Sequence, residues 1–451
     1  MIADALVIFG STGDLAYKKI FPALYEMVQG GLLDVPIVAV VRGDWNLEKL
    51  RARARESLEA KGKSLGDFAA LSKLLVCVHG DYDNDATFDR LKTALGKAER
   101  PVFYLAIPPS HFTQIAGELG RSGAAKNARV VIEKPFGRDL ESARALNATL
   151  LAVFPEESIF RIDHYLGKEP VQNLSYFRFA NSFFEPIWNR DHIESVQITM
   201  AETLGLEGRG AFYEETGAIR DVVQNHMLQV VANLAMEPPS CGACEVVRDQ
   251  RASILEAILP LSAKDVVRGQ FAGYRAEPGV AKDSQVETFA ALRLAIDTWR
   301  WAGVPFFIRA GKRMPVTCTE VLVTMKKPPI SIFGERGAGA NTVRFRLGPV
   351  VETALGVRSK TPGEEMIGRE IELVAAAGDA GGMDAYARLL HDAMKGDALL
   401  FSREDAVEEA WRIVAPILGD RVPVQSYEPG SWGPSEADAL IAEFGGWHRP
   451  R

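Results

Sequence analysis

The sequence predicts two folds in tandem: an N-terminal doubly wound α/β domain, then a larger α+β domain on a mainly antiparallel sheet. Three observations carry this. Early in the chain, short apolar runs such as Ala5–Phe9 and Pro36–Val41 alternate with amphipathic stretches, as buried parallel strands alternate with helices. From about residue 180 strand-like runs follow one another without regular helices between them, the texture of an antiparallel sheet. And 451 residues exceed one ordinary hydrophobic core. The division is placed between residues 1–175 and 176–451.

Taken in order, Ala5–Phe9 is a strand ending in glycine. Gly10-Ser11-Thr12-Gly13-Asp14-Leu15-Ala16 follows, then an amphipathic segment with Ile20, Leu24, Tyr25 and Val28. Strand, glycine turn and helix in succession form a dinucleotide-binding, Rossmann-like arrangement, because glycines let the backbone approach a pyrophosphate at a helix N-terminus. The spacing is not G-x-G-x-x-G, but the next strand, Pro36–Val41, completes a βαβ unit. Arg42 ends that strand. An arginine there suits the 2′-phosphate of NADP, whereas a carboxylate would bond the ribose hydroxyl of NAD. Asp44 is placed to take the NAD role, so NADP is favoured and NAD stays open as second choice.

Further strands are expected at Leu74–Val78, Val102–Ala106 and Arg129–Glu133, with helices at Phe112–Leu119 and Leu140–Leu150. Such sheets bind ligands beyond the carboxyl ends of their strands. Ile107 and Pro108 stand at one of those ends and Lys134 at another. A further short strand, Ile159-Phe160, leads into Arg161-Ile162-Asp163-His164-Tyr165-Leu166-Gly167-Lys168-Glu169 and a helical pattern of Val171, Leu174 and Phe177. Pro170 fits that helix's first turn, where its missing N–H has no partner anyway. A histidine, a tyrosine and a lysine at a helix N-terminus make an anion site; a solvated polar turn is the alternative.

In the second domain strands are expected at Ile193–Ala201, Glu287–Ile296, Phe306–Arg309, Glu320–Lys326, Thr342–Leu347 and Glu370–Ala376. Helices are expected at Thr216–Met236, Met383–Met394 and Arg403–Leu418, and turns at Gly334–Asn341 and Gly378–Gly382. His226 lies on or beside the apolar stripe of Ile219, Val222, Val223, Met227, Val230, Val231 and Leu234. A lone histidine there is more often a core residue, but Asp221 and Asn225 add polar groups along the same helix.

Composition excludes other classes. Hydrophobic content of 47% and charged content of 25% belong to a soluble globular protein. A net charge of −7 argues against a general nucleic-acid binder. No run approaches the ~20 apolar residues of a membrane span, no signal peptide is visible, and 4 cysteines do not make a disulfide framework. A reducing cytoplasm is the expected location. Cys241-Gly242-Ala243-Cys244 follows Pro238-Pro239-Ser240 and reads as two loop cysteines, since no second pair completes a zinc site.

Several segments carry a resemblance. Arg161–Glu169, the Gly10–Ala16 turn, Glu133-Lys134-Pro135-Phe136-Gly137 and Arg220-Asp221-Val222-Val223-Gln224-Asn225-His226 resemble the glucose-6-phosphate dehydrogenase family. So do Trp299-Arg300-Trp301-Ala302-Gly303-Val304-Pro305 and Gly430-Ser431-Trp432-Gly433-Pro434, all in the family's order. The resemblance implies oxidation of glucose 6-phosphate at C1 to the 6-phospho-lactone, the first step of the oxidative pentose phosphate pathway. It also implies NADP as acceptor, no metal, and a homodimer or homotetramer. By resemblance His226 is the base and Asp163 its carboxylate partner. His164, Tyr165 and Lys168 hold the substrate phosphate, and Glu202, Asp221 and Lys312 are further sugar contacts. Lys134 touches both substrate and nicotinamide. Gly10, Ser11, Thr12, Gly13, Asp14, Leu15, Lys19, Arg42, Ile107 and Pro108 complete the cofactor site.

The chain departs from the family beyond Lys312. Many members carry a second basic residue there, in a stretch like E-R-V-T-E, where this chain has Pro315-Val316-Thr317-Cys318-Thr319-Glu320 and Thr317 replaces the cation. Losing one charge-assisted contact, worth ~1.5–3 kcal/mol, weakens phosphate binding or marks a changed substrate. Two alternatives therefore stay open: a family dehydrogenase for another sugar phosphate, such as an amino sugar phosphate, and a catalytically silent NADP(H)-binding regulator.

Overall fold

The computed structural model describes residues 2–330, 332–333, 339–376 and 382–450. The turns expected at Gly334–Asn341 and Gly378–Gly382 lie outside the described residues, apart from 339–341 and 382. The chain divides into two compact units. The first comprises Met1–Glu169, Pro239–Asp249 and Gly382–Glu408; the second comprises Pro170–Pro238, Gln250–Gly381 and Glu409–Arg451.

The first unit is built on strands β1 (Ala5–Phe9), β2 (Ile37–Val41), β3 (Leu75–His79), β4 (Pro101–Leu105), β5 (Arg129–Glu133) and β6 (Ile159–Ile162). They lie parallel in the order β6-β5-β4-β1-β2-β3. β1, β2 and β4 are buried at every position, and for that reason they read as unbroken apolar runs. β3, at the sheet's edge, is only partly buried. The chain leaves β1 for β2 on one side, while β4 pairs with β1 on the other. Ligands bind at such a switch point.

In the second unit follow β7 (Ile193–Ala201), β8 (Val266–Phe271), β9 (Phe289–Ala295), β10 (Pro305–Gly311), β11 (Cys318–Met325), β12 (Thr342–Gly348), β13 (Glu352–Lys360) and β14 (Gly368–Ala376). The two-residue β15 (Phe401–Ser402) then returns to the first sheet, antiparallel to β6. β16 (Val424–Tyr427) closes the second sheet, whose order is β14-β13-β12-β11-β7-β10-β9-β8-β16. All its neighbours are antiparallel except β7 with β10 and β8 with β16. The doubly wound α/β plus α+β class is borne out.

Four strands escaped the sequence reading, namely β8, β13, β15 and β16. β8 reads Val-Val-Arg-Gly-Gln-Phe; its arginine and glycine break the apolar pattern. Yet Arg268 is buried, because it forms an ion pair with the equally buried Glu287 at 2.7 Å. The same guanidinium donates to the carbonyls of Gly419, Val422 and Gln285. β13 is half-buried along most of its length and so lacks the apolar run of an interior strand.

The pair fixes the next element. Gly217 has φ +64°, and a Cβ there would stand 2.5 Å from Glu287 Oε1. Beyond this break Glu287 accepts the backbone N–H of Ile219 at its side chain (3.0 Å) and of Ala218 at its carbonyl (2.9 Å). These are first-turn amides with no partner inside the helix. The helix expected over Thr216–Met236 is therefore not one continuous rod. It comprises Gly210–Ala218 with the break at Gly217, a π-helical stretch Ile219–Met227, and Leu228–Ala235. Replacing Arg268 by Leu leaves Glu287 buried without its counter-charge. The expected cost is ~3–5 kcal/mol, read from the urea unfolding midpoint; a loss below ~1 kcal/mol would mean that Glu287 holds the helix without help.

Candidate active site

The glycine turn after β1 is shaped by contact. Gly10 has φ +79°, and a Cβ there would lie 2.0 Å from the Ala106 carbonyl oxygen, so only glycine fits. Helical backbone begins at Asp14 and passes through a π-helical Ala16–Ile20 into Phe21–Gln29. Ser11 is buried, while Gly13 and Asp14 are exposed. The Gly10 N–H donates to the hydroxyl of Tyr82 at 2.9 Å, and Arg42 lies over the same ring at 4.6 Å. One buried tyrosine thus serves both the glycine turn and the arginine at the end of β2. Asp44, the rival ligand for a ribose hydroxyl, is ion-paired with Lys49, and the bond to that lysine holds its carboxyl below the usual range. The tight glycine cradle, the helix start and an arginine beside them fit a dinucleotide with a 2′-phosphate.

At the carboxyl ends of β5 and β6 lies the second group. Asp163 is buried, and its Oδ1 accepts the Tyr165 N–H at 2.9 Å. Further turn bonds run from Leu166 N–H to Asp163 O and from Lys168 N–H to Tyr165 O, both 3.0 Å. They bring Lys168 Nζ over the Tyr165 ring at 3.7 Å. His164 stacks on Tyr386 at 6.3 Å with 16° between the planes, and Lys19 lies over that same ring at 5.8 Å. Helix Glu169–Ala180 follows, with Pro170 in its first turn as expected. Lys134 sits just beyond β5 at a cis bond to Pro135.

The second unit gathers Glu202, Asp221 and Lys312. β7 and β10 run parallel with Ala201 opposite Gly311, so the residues that follow them, Glu202 and Lys312, are neighbours and form an ion pair. The Lys312 ammonium also lies 5.7 Å from the Tyr213 ring centre. The Tyr213 phenol is pushed well up by burial and, behind it, by the charges of Asp221, Tyr427, Glu287 and Glu202. His226 is 2% exposed, on the π-helical stretch. Asn225 supports that stretch, donating to Arg220 O at 2.9 Å and accepting the His226 N–H at 2.7 Å. π-helical turns are rare and concentrate at functional sites. Thr317 bonds Thr203 twice, accepting its N–H at 3.1 Å and sharing a hydroxyl contact at 2.8 Å. Thr317 and Thr203 thus form a neutral, exposed pair.

Sequence reasoning missed Tyr82, Tyr386, Tyr213 and Arg53. Arg53 reaches the Gly13 carbonyl at 3.4 Å and lies over the Tyr17 ring at 4.9 Å. None of the four sits in a motif; each arrives from another part of the chain. Of the paired cysteines, Cys241 is exposed and Cys244 opens the helix Cys244–Ala257. Only one of them is therefore a loop residue, and all four cysteines are free.

Glu133 is an unexpected neighbour of this site. It is buried at the end of β5 and accepts the Tyr104 hydroxyl. Burial pushes its carboxyl up to about 7, against the Tyr104 bond and the Lys134 charge, while Asp163 pushes it further up. A carboxyl that holds its proton more tightly when folded favours the folded state most at low pH. That stability is lost as pH rises from the ordinary carboxylate range through about 7. Glu133→Gln should therefore melt increasingly higher than the unsubstituted protein between about pH 5 and about pH 8; a constant difference would remove Glu133 as the titrating group.

Comparison with known proteins gives the family. Residues 7–173 match the family model described as the NAD binding domain of glucose-6-phosphate dehydrogenase, and residues 175–448 match its C-terminal domain. Glucose-6-phosphate 1-dehydrogenase 1 of Mycobacterium tuberculosis is 43% identical over 454 aligned positions, covering 99% of this chain and 97% of that one. The crystal structure of glucose-6-phosphate 1-dehydrogenase from Mycobacterium avium superposes with a TM-score of 0.94 at 43% identity, over 100% of this chain and 99% of that one. A glucose-6-phosphate dehydrogenase solved in complex with its substrate glucose-6-phosphate gives a TM-score of 0.92 at 32% identity, over 100% of both chains. With both domain models matched in order along nearly its whole length, the chain belongs to the glucose-6-phosphate dehydrogenase family.

Proposed function

We propose that this protein oxidises D-glucose 6-phosphate at C1 to 6-phospho-D-glucono-1,5-lactone with hydride transfer to NADP, opening the oxidative pentose phosphate pathway. The observation that carries this is full-length likeness to a glucose-6-phosphate dehydrogenase solved with that substrate, together with the ligand-ready groups of each unit. Residues 1–175 are assigned to NADP and residues 176–451 to sugar binding and subunit contacts, in a cytoplasmic homodimer or homotetramer. Among the described residues no helix is long and apolar enough to cross a membrane.

The nicotinamide supplies the hydride acceptor. The chain's own residues bind, orient and take the proton. Gly10, Ser11, Thr12, Gly13, Asp14 and Leu15 hold the pyrophosphate side, Arg42 the 2′-phosphate, and Lys19, Ile107, Pro108 and Lys134 the remainder. His164, Tyr165 and Lys168 take the substrate phosphate; a lysine held over an aromatic ring is a pre-oriented cation for it, and the stacked imidazole of His164 adds a ring N–H. Glu202, Asp221 and Lys312 meet sugar hydroxyls. His226 accepts the C1 hydroxyl proton, the task of an imidazole near neutral pH. Asp163 is assigned as its carboxylate partner on the family resemblance alone, to fix the ring's tautomer and balance its charge.

Rates of NADP and NAD reduction against a panel of sugar phosphates test this reading. Glucose 6-phosphate should be turned over well and unphosphorylated glucose poorly. The Thr203–Thr317 pair motivates an amino sugar phosphate in the panel, and preference for it would move the substrate assignment. NADP should be used with higher kcat/KM than NAD, and Arg42→Ala should weaken NADP much more than NAD. Equal losses would take Arg42 off the 2′ position.

His226→Asn tests the base. kcat should fall roughly 10²–10⁴-fold while substrate affinity changes far less. A core histidine gives the opposite result, with a lower melting point and near-normal kcat per folded molecule.

A further inference from the structure

We propose that Tyr427, in the C-terminal segment, is a positioning residue for Lys312: its hydroxyl holds the carbonyl of that lysine and so sets where the ammonium meets the sugar phosphate. The inference rests on the assignment of Lys312 as a substrate contact.

The backbone after β10 is strained. Arg313 has φ +53°, a left-handed conformation that side chains with a Cβ disfavour and that persists only where its surroundings enforce it. Here they do. Lys312 N–H donates to Thr288 O at 3.0 Å, Arg313 N–H to Leu204 O at 3.1 Å and Met314 N–H to Glu202 O at 2.9 Å. The two carbonyls of the strained step go elsewhere, to the C-terminal segment. Lys312 O accepts the Tyr427 hydroxyl at 2.7 Å, and Arg313 O accepts the Gly430 N–H at 2.6 Å.

That segment is itself fastened. Tyr427 is buried on β16, its ring 5.6 Å from Phe289 and 6.5 Å from Phe271, and its oxygen lies 3.0 Å from Thr288 Oγ1. Further on, Trp432 and Trp447 lie over the Arg309 guanidinium at 4.3 and 4.8 Å, and Arg309 donates to His448 O at 2.7 Å. Arg309 belongs to β10, three residues before Lys312. The tail thus grips the strand before the lysine and both carbonyls at the turn. Lys312 is 5% exposed and ion-paired with Glu202, so its ammonium has little freedom to correct a displaced backbone.

Tyr427→Phe keeps the ring and its packing and removes only the hydroxyl. Glucose 6-phosphate affinity, measured by calorimetry on the cofactor-free protein, should fall roughly three- to tenfold, the worth of one hydrogen bond. NADPH affinity, followed by its fluorescence, should stay unchanged. A melting curve on each variant reports the folded fraction, and affinities are taken per folded molecule. In a Lys312→Ala background the same substitution should have no further effect on sugar-phosphate affinity, because the group it positions is gone. A purely structural tyrosine would weaken binding equally in both backgrounds, and that result, or unchanged affinity in Tyr427→Phe alone, overturns the proposal. If Lys312→Ala itself leaves affinity unchanged, the substrate assignment of Lys312 fails and this inference fails with it.

Discussion

A buried ion pair carries the helix on which the proposed chemistry depends. Arg268 and Glu287 are each 4% exposed at the side chain, and Glu287 alone would be a costly buried charge. With Arg268 it becomes an anchor whose remaining oxygen caps the helix at Ile219. Two oxygens of one residue, a carboxylate and a carbonyl, thus hold the amides that open the stretch bearing Asp221 and His226. A buried pair of this kind adds little net stability compared with an apolar pair of the same volume. Its value here is directional: it sets where the helix starts, and through that the azimuth of every side chain behind it.

The same economy recurs in the aromatic residues. Tyr82 accepts the Gly10 amide and carries Arg42 on its face. Tyr386 stacks with His164 and carries Lys19. Tyr213 underlies Lys312. In each case a half-rigid ring lies against a cation that the proposed function assigns to a ligand. Preorganisation of this kind reduces the entropy lost on binding, which a lysine free in solvent would lose in full.

Thr317 stands in the stretch where the resemblance implies a departure from the family's pattern. Its hydroxyl and that of Thr203 are both exposed and bonded to each other. The nearby cations are Lys312, paired with Glu202, and the exposed Arg313, whose guanidinium lies beside Gly205.

Sequence alone determined the class of both folds, since β1, β2 and β4 are buried on both faces and must be apolar at every position. It determined the glycine turn too, because Gly10 adopts a φ that only glycine takes easily beside Ala106. The resemblance motifs singled out His226, Asp163 and the Arg161–Glu169 stretch as candidates, each readable within one segment. It could not reveal β8, whose Arg268 looks solvent-seeking until Glu287 is brought to it, nor the break at Gly217 within an otherwise helical pattern. Nor could it reveal that Lys49 pairs with Asp44 while Arg42 lies over the Tyr82 ring. Tyr82, Tyr386, Tyr213 and Tyr427 were invisible for one reason. A local pattern records whether a side chain is buried or wet, whereas what a buried ring touches is decided by strand order and by segments that return from far along the chain.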